Sequence, residues 1–276
     1  MKKILFVLLL SVTVIVNLLA QDFPYGVEFH YPTEYGNITI HDNYIIQDDK
    51  KIKSTIKAVN GYHTISNKNA EYIALNCIVG SWEFVSLFKK DDEKYEYGLW
   101  EIPYNREIAK NNDNVMPMLQ AFSFNKAGTY VSEKGKKGNV IDFVPEEFFG
   151  LTDNPWAVNE SSENKKINVG TAMWRNERIN YSPIDEIIIV NGFVYPGKEK
   201  LYKENARAKT IRLSYGDVTF DYELKDTGNY QVIELPKTMR LDEKNGLTVE
   251  ILDWYKGTKY KDIVISGIYY VNRSSF

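Results

Sequence analysis

The chain is poor in the residues that most catalytic thiol and metal sites require. It has one cysteine and three histidines in 276 residues. A single cysteine, Cys77, excludes an intrachain disulfide, so packing has to stabilise the fold. The histidines His30, His41 and His63 form no His-x-His or His-x-x-x-His pair, which argues against a local zinc motif. These shortages disfavour thiol catalysis and metal-dependent hydrolysis.

Signatures of nucleotide and acyl-transfer chemistry are also missing. The sequence contains no glycine-rich phosphate loop, no dinucleotide fingerprint and no Gly-x-Ser-x-Gly elbow. Acidic residues are numerous, but no pair stands out as the two carboxylates of a glycosidase. The formal charge is −3, and two of the positive charges, Lys2 and Lys3, lie at the extreme N-terminus. Such a chain lacks the basic footprint of non-specific nucleic-acid binding, so we predict no nucleic-acid partner.

A long apolar run occurs at the N-terminus. Two lysines precede the stretch ILFVLLLSVTVIV, and the small residue Ala20 follows it. This order is typical of a secretory signal peptide at residues 1–20. The alternative is a membrane anchor, but Asn17 interrupts the run, which is shorter than the about 20 residues of a membrane span. We therefore predict an exported protein, either periplasmic, cell-surface or secreted, that is not an integral membrane protein after cleavage.

The rest of the chain carries strand signals. Residues 218–224 alternate apolar and polar side chains, which is the period-2 pattern of a half-buried strand. Residues 187–190 form a continuous apolar run, typical of a central strand buried on both faces. Turn pairs such as Asn191-Gly192 separate the runs. Short strands between frequent turns predict an all-β protein built of sandwiches or barrels.

A polar segment divides the chain into two apolar regions. This segment, SEKGKKGN at residues 132–139, contains two glycines. We interpret it as a linker with a domain boundary near Lys137, and the alternative is a long hairpin tip within one domain. The N-terminal domain at residues 21–138 is then a small β barrel or sandwich of unknown role, in which residues 122–131 are predicted to form a hairpin. Residues 139–276 form the second domain.

The second domain carries several motifs in sequence. They are IIIVNGF at residues 187–193, Tyr-x-x-Asn-x-Arg-x-Lys at 202–209, QVIEL at 231–235 and WYKGTKYKDIVISGI at 254–268. Together they resemble the NADase-type glycan-binding domain, a discoidin-like (F5/8 type C-like) module. The resemblance covers the C-terminal half and implies a jelly-roll β-sandwich with a non-catalytic binding role. It does not imply hydrolysis of NAD.

Carbohydrate sites combine an aromatic face for the C–H surface of a sugar with polar side chains for its hydroxyl groups. Loops at one end of a sandwich suit such a site, because a rigid scaffold positions them. We predict ligand contacts among the following turn residues: Trp156, Asn159, Trp174, Arg175, Tyr195, Tyr202, Asn205, Arg207, Trp254, Tyr255 and Lys256. Each has a structural alternative. The tryptophans can belong to the core, and Asn205 and Arg207 can hold a loop in place.

Discoidin-like folds often hold a structural calcium ion near an early Asp-rich turn. Here Asp153 and Asn154 match that turn, and they could supply two of the six to eight oxygens that calcium takes. The spacing from this turn to Trp156 is shorter than the family's. We therefore predict no cofactor, with a structural calcium ion as the alternative.

The sequence thus predicts an exported bacterial protein whose non-catalytic module recognises a glycan or another cell-envelope component. Two alternatives stay open. The same loops could bind a protein partner in a structural or interaction role. The protein could also be an enzyme, with an active site in the N-terminal half around His41 or His63.

Overall fold

The computed structural model describes residues 28–30, 37–80, 82–90, 99–101, 118–126, 129–135, 140–143, 151–171, 183–240 and 246–272. These residues form strands and one short helix, so the predicted all-β fold is confirmed. No helix within these ranges is long and apolar enough to span a membrane. The predicted signal peptide lies outside them, as do Trp174 and Arg175.

The N-terminal part forms two antiparallel sheets. The first has the strands β1 (Glu28–His30), β2 (Asn37–His41), β3 (Tyr44–Gln47) and β4 (Lys50–Lys53), in that order. The second has the strands β5 (Thr55–Val59), β6 (Tyr62–Ser66), β7 (Glu71–Val79), β8 (Trp82–Lys89) and β9 (Leu99–Glu101), also in chain order. Ile38, Ile40 and Ile45 of the first sheet lie in one buried cluster with Ile65 and Leu87 of the second. The N-terminal part is therefore the small sandwich that the sequence predicts.

The C-terminal module is built around a continuous sheet. Its first strand is β10 (Met118–Lys126), and a two-stranded ribbon of β11 (Ser132–Lys134) and β12 (Val140–Asp142) follows it in the chain. The other strands are β13 (Trp156–Asn159), β14 (Lys166–Thr171), β15 (Ile184–Asn191), β16 (Ala206–Tyr215), β17 (Val218–Glu223), β18 (Tyr230–Met239), β19 (Leu247–Tyr255) and β20 (Asp262–Asn272). The helix α1 (Lys200–Glu204) precedes β16. The order along the sheet is β17-β16-β19-β14-β10-β20-β15-β18, with β13 added beside β20.

Strand β10 joins this sheet from ahead of the predicted domain boundary. It pairs with β14 on one side and with β20 on the other. The sheet of the C-terminal module therefore includes a strand that the sequence assigns to residues 21–138. The predicted hairpin at residues 122–131 is wrong at this strand, because Phe122 pairs with Thr171 of β14.

Strand β7 is buried on both faces. Tyr72 and Ala74 belong to the core between the two N-terminal sheets, whereas Ile73, Leu75 and Cys77 belong to the core of the C-terminal module. Because successive side chains of a strand point to opposite faces, this one strand contributes to both interiors. The second N-terminal sheet therefore packs between the first sheet and the C-terminal module.

The outer face of the C-terminal sheet neutralises its own charges. Lys166, Glu250, Arg212 and Asp221 lie side by side across β14, β19, β16 and β17, with alternating sign. The Nζ of Lys166 lies 3.3 Å from an oxygen of Glu250, and Nε of Arg212 lies 2.7 Å from one of Asp221. Cross-strand pairs of opposite charge stabilise a sheet modestly. This face is a solvated surface rather than a binding patch.

Candidate functional site

The Asn-Gly pair that ends β15 ties two strands together. The buried side-chain amide of Asn191 donates to the carbonyl of Ala208 at 2.7 Å and accepts the Ala208 N–H at 3.0 Å. Gly192 follows with φ +83°, and a Cβ there would lie 2.5 Å from the ring of Tyr202 and 2.8 Å from Cγ of Arg207. Only glycine fits this backbone and this space.

Arg207 is the centre of the network that packs on Gly192. It is 5% exposed, and its Nε and Nη2 donate to the two carboxylate oxygens of Asp226 at 3.0 and 2.9 Å. Its Nη1 donates to the backbone carbonyls of Asn205 and Lys256 at 2.9 and 3.1 Å. A planar guanidinium suits such a set of directed bonds. One side chain thus holds together the start of β16, the β17–β18 connection and the β19–β20 loop.

Two further side chains bind the same carboxylate. The hydroxyl of Tyr202 donates to Asp226 at 3.0 Å, and Nζ of Lys203 donates to it at 2.9 Å. Burial alone would raise the pKa of Asp226, but the bonds from Arg207 and Lys203 outweigh it and lower that pKa to about 2. Burial and the neighbouring negative charge raise the pKa of Tyr202 far above its usual value. At neutral pH the carboxylate is therefore charged and the phenol neutral, as the bonds require.

The last motif also makes internal contacts. The buried hydroxyl of Ser266 donates to the carbonyl of Gly192 at 2.7 Å and accepts the N–H of Val194 at 2.9 Å. Asp262 accepts a bond from the side chain of Asn159 at 3.0 Å. These residues fix the β15 end and the β13–β14 turn against β20. Most polar groups of the motifs thus contact other parts of the protein.

The β19–β20 loop is fastened to the end of α1. The carbonyls of Lys203 and Glu204 accept backbone N–H groups of the loop at 2.8 to 3.0 Å, from Thr258, Lys259 and Tyr260. The last carbonyls of a helix have no partner inside the helix, and here the loop supplies one. Side chains also hold the loop, since the hydroxyl of Thr258 donates to the carbonyl of Lys203 at 3.1 Å and that of Tyr255 to the carbonyl of Leu224 at 2.9 Å.

A third segment completes this end of the module. The N–H of Glu160 donates to the carbonyl of Lys261 at 2.9 Å, and the two side chains form an ion pair at 3.4 Å. We call the three segments, residues 159–165, 200–205 and 254–261, the loop platform. It lies directly beside the Arg207 network, which holds two of its segments.

The platform presents two aromatic rings to solvent. Trp254 is half-buried, its indole N–H donates to Glu160 at 3.3 Å, and Nζ of Lys165 lies 5.1 Å from its ring centroid. The register of β16 and β19 shifts just before Trp254, and such a bulge redirects the side chains that follow it. Tyr260 is 38% exposed, with Nζ of Lys259 at 4.6 Å from its ring centroid. Lys256 is exposed between them in the chain.

The structure separates the predicted ligand residues into two groups. Trp156 is 1% exposed and its indole N–H donates to the carbonyl of Thr129, so it belongs to the core and offers no face to a sugar. Four others are also buried among protein partners: Tyr195, Tyr202, Asn205 and Arg207. For these five residues the structure favours the alternative interpretation, in which they belong to the core or hold a loop in place. The remaining described candidates lie on the first and last segments of the platform and are partly or fully exposed: Asn159, Trp254, Tyr255 and Lys256.

Three residues of this region were missed by the prediction. Asp226 directly precedes Thr227-Gly228, so the sequence places a charge next to a turn without indicating its partner. Lys203 and Tyr260 lie inside or beside quoted motifs, and nothing in the local pattern distinguishes them from their neighbours. Of the three, Tyr260 is the one that a ligand can reach, because its ring is accessible.

The turn of Asp153 and Asn154, which is the alternative calcium site, makes other contacts in the structure. The side chain of Asp153 lies 3.5 Å from Nζ of Lys198, and the N–H of Asn154 bonds to Oγ1 of Thr152. Among the described residues, no group of three or more His, Cys, Asp or Glu side chains is placed to hold a metal ion. Calcium takes six to eight oxygen ligands, so these residues do not fit it.

Comparison with known proteins identifies part of the chain. No curated protein and no solved structure matches it. Residues 174–271 match the family described as the NAD glycohydrolase translocation F5/8 type C domain. This description is of a translocation domain and not of a catalytic one. The matched range contains the Arg207 network and most of the loop platform, so the match to an F5/8 type C domain lies within the C-terminal module of this chain.

Proposed function

We propose that the C-terminal module binds a glycan of a cell surface or cell envelope through the loop platform. The observation that carries the proposal is the pairing of accessible aromatic rings, Trp254 and Tyr260, with a loop backbone that is already ordered. Aromatic rings supply contact area for sugars at low entropic cost, and an ordered loop reduces the cost of binding further. Lys256 adds an exposed charged group on the same loop.

Two carboxylates of the platform, and Asp226 beside it, are paired with cations. Glu160 pairs with Lys261 at 3.4 Å, Glu204 with Lys259 at 3.7 Å, and Asp226 with Arg207 at 2.9 Å. A general base needs a carboxylate that is open to a substrate proton. These three instead neutralise neighbouring cations, so the platform is arranged for recognition.

Export of the protein is part of the same proposal. The N-terminal leader has the order of a secretory signal, and the matched family is described as a translocation domain. Both observations favour a site of action in the periplasm, at the cell surface or outside the cell. A glycan ligand is consistent with each of these locations.

A protein partner is the second candidate, and one observation favours it. Leu252 is 36% exposed on β19, two residues before Trp254, so an apolar side chain accompanies the aromatic rings. Apolar and aromatic anchors together are typical of protein interfaces. The family description names translocation, which is compatible with such a partner.

The test is a glycan-array screen of the chain from residue 21 onward, followed by variants. Trp254→Ala and Tyr260→Ala are each expected to weaken binding about tenfold, a loss of about 1.4 kcal/mol. Tyr130→Ala is the matched control, because Tyr130 is 37% exposed but lies outside the platform. Equal losses in all three variants would contradict the proposal. An absence of glycan binding by well-folded protein would favour the protein partner.

A further inference from the structure

The N-terminal sandwich carries a group of unneutralised lysines. Five exposed lysines form no ion pair with any residue that the structure describes: Lys50, Lys51, Lys53, Lys57 and Lys68. Several exposed lysines of the C-terminal module do have acidic partners. Lys166, Lys209 and Lys237, for example, lie 3.3, 3.1 and 2.8 Å from carboxylate oxygens. The five lysines lie within 19 residues of one another, and exposed Asp48 and Asp49 precede them in the chain without pairing with any of them.

Four of these lysines line one open groove of about 810 Å³. It runs along β4 and the β4–β5 junction to the turn between β6 and β7. The lining residues are Lys50, Lys51, Ile52, Lys53, Ser54, Thr55, Ser66, Asn67, Lys68 and Asn69. We call this surface the lysine groove.

Protection of sheet edges accounts for some of these lysines. Strands β4 and β5 lie at the edges of their sheets among the described strands, and lysine on an edge strand discourages pairing with other chains. Lys68, however, lies in a turn and not on an edge strand. Edge protection also does not explain why residues of two separate segments line one groove.

The other lining groups restrict the class of ligand. They are hydroxyl and amide side chains, with Ile52 as the apolar exception and no aromatic ring. Protein interfaces use apolar and aromatic anchors and are depleted in lysine. Binding of single-stranded nucleic acid relies on aromatic rings that stack on the bases. Lysines among hydroxyl and amide groups instead suit a chain that carries both anionic groups and hydroxyl groups.

We propose that the lysine groove binds an acidic polysaccharide, with Lys50, Lys53 and Lys68 contacting its carboxylate groups. This site lies in the N-terminal sandwich and is independent of the loop platform. The protein then has two carbohydrate-recognising surfaces, one selective for charge and one for the sugar face. Linking two such surfaces in one chain raises the overall affinity for a polymer that reaches both.

The test measures binding of polygalacturonate to the chain from residue 21 onward, at low and at physiological salt. The groove variant combines Lys50→Gln, Lys53→Gln and Lys68→Gln. The control variant combines Lys166→Gln, Lys209→Gln and Lys237→Gln, which removes the same charge from lysines that have acidic partners. The groove variant is expected to bind at least about tenfold more weakly than the wild type, since contacts with anionic groups dominate such affinities.

Three further results are expected if the groove is the site. The control variant retains wild-type affinity. Salt weakens the binding of the wild type and of the control variant. Methyl-esterified polygalacturonate, which lacks the charge, does not bind. The proposal is overturned if wild-type protein does not bind polygalacturonate at low salt, or if both variants lose affinity equally. It is also overturned if oligothymidylate binds as tightly, which would indicate a nucleic-acid ligand. Trp254→Ala leaves this binding unchanged, which separates it from a failure of the platform.

Discussion

The Arg207 network and the loop platform lie side by side in one module, yet they differ in exposure to solvent. The side chains of the network are buried, whereas the aromatic rings of the platform are accessible. In the network, Asn191, Arg207 and Ser266 are buried and bonded to protein partners. On the platform, Trp254 and Tyr260 retain accessible ring surface. Buried polar groups must find partners inside the protein, because an unmade bond is costly there. The motifs therefore mark the scaffold, and the side chains available to a ligand lie on the loops it holds.

A second contact joins the two halves of the chain. The amide of Asn229 accepts the N–H of Asn76 at 2.8 Å and donates to the side-chain oxygen of Asn76 at 2.8 Å. Gly228 packs so closely on Tyr62 that a Cβ would lie 2.8 Å from its ring. Both asparagines are buried in the core that β7 shares with the C-terminal module. The module thus depends on residues well ahead of the family match.

The largest effect is expected from cutting the chain at the predicted boundary. A fragment of residues 139–276 lacks β10, so β14 and β20 each lose a paired neighbour. We expect this fragment to be insoluble or to show no cooperative thermal transition, because unpaired strands expose their backbone groups. A fragment of residues 118–276 retains the strand and is expected to unfold cooperatively, with a lower midpoint than the whole chain. Equal transitions for the two fragments would place the module's start at residue 139.

Replacing the centre of the network is expected to have the next largest effect. Arg207→Met leaves the partly buried Asp226 without its bidentate partner, and removal of one member of a buried pair costs about 3 kcal/mol. The control is Arg212→Met on the same strand, since Arg212 pairs with Asp221 on the exposed face. A surface pair contributes much less, because solvent screens its charges. Urea denaturation measures the free energy of unfolding of each variant. Similar losses for Arg207→Met and Arg212→Met would show that the buried network stabilises the fold no more than a surface pair does.

The sequence predicts what depends on neighbouring residues. Alternation in residues 218–224 and the apolar run at 187–190 correctly indicated strands β17 and β15, because side-chain period is a local property. The partners of β10 could not be predicted in the same way, since Ala121 pairs with Tyr269 from the far end of the chain. Nothing near Arg207 in the sequence indicates that Asp226 lies opposite it. The buried or exposed state of each motif residue follows from such distant contacts.

Acid is expected to weaken the network through protonation of Asp226. The pKa of Asp226 is lowered from its usual 3.8 to about 2, so its bonds contribute stability above about pH 4. That contribution is lost as the pH falls toward 2, because the unfolded state takes up the proton first. Urea midpoints of the wild type and of Asp226→Asn should therefore converge between pH 4 and pH 2. A constant difference across this range would mean that the carboxylate charge does not stabilise the fold.

Truncating the platform is expected to have the smallest effect on stability. Trp254 is half-buried, so Trp254→Ala removes only part of the contact of a core aromatic and should cost about 1 to 2 kcal/mol. Trp156→Ala is the buried counterpart and should cost about 3 to 5 kcal/mol, because it also leaves a cavity. Ligand affinity should change in the opposite order, with Trp254→Ala losing binding and Trp156→Ala retaining it in the folded fraction. If Trp254→Ala destabilises the protein as much as Trp156→Ala while its folded fraction binds normally, the exposed ring belongs to the scaffold as well.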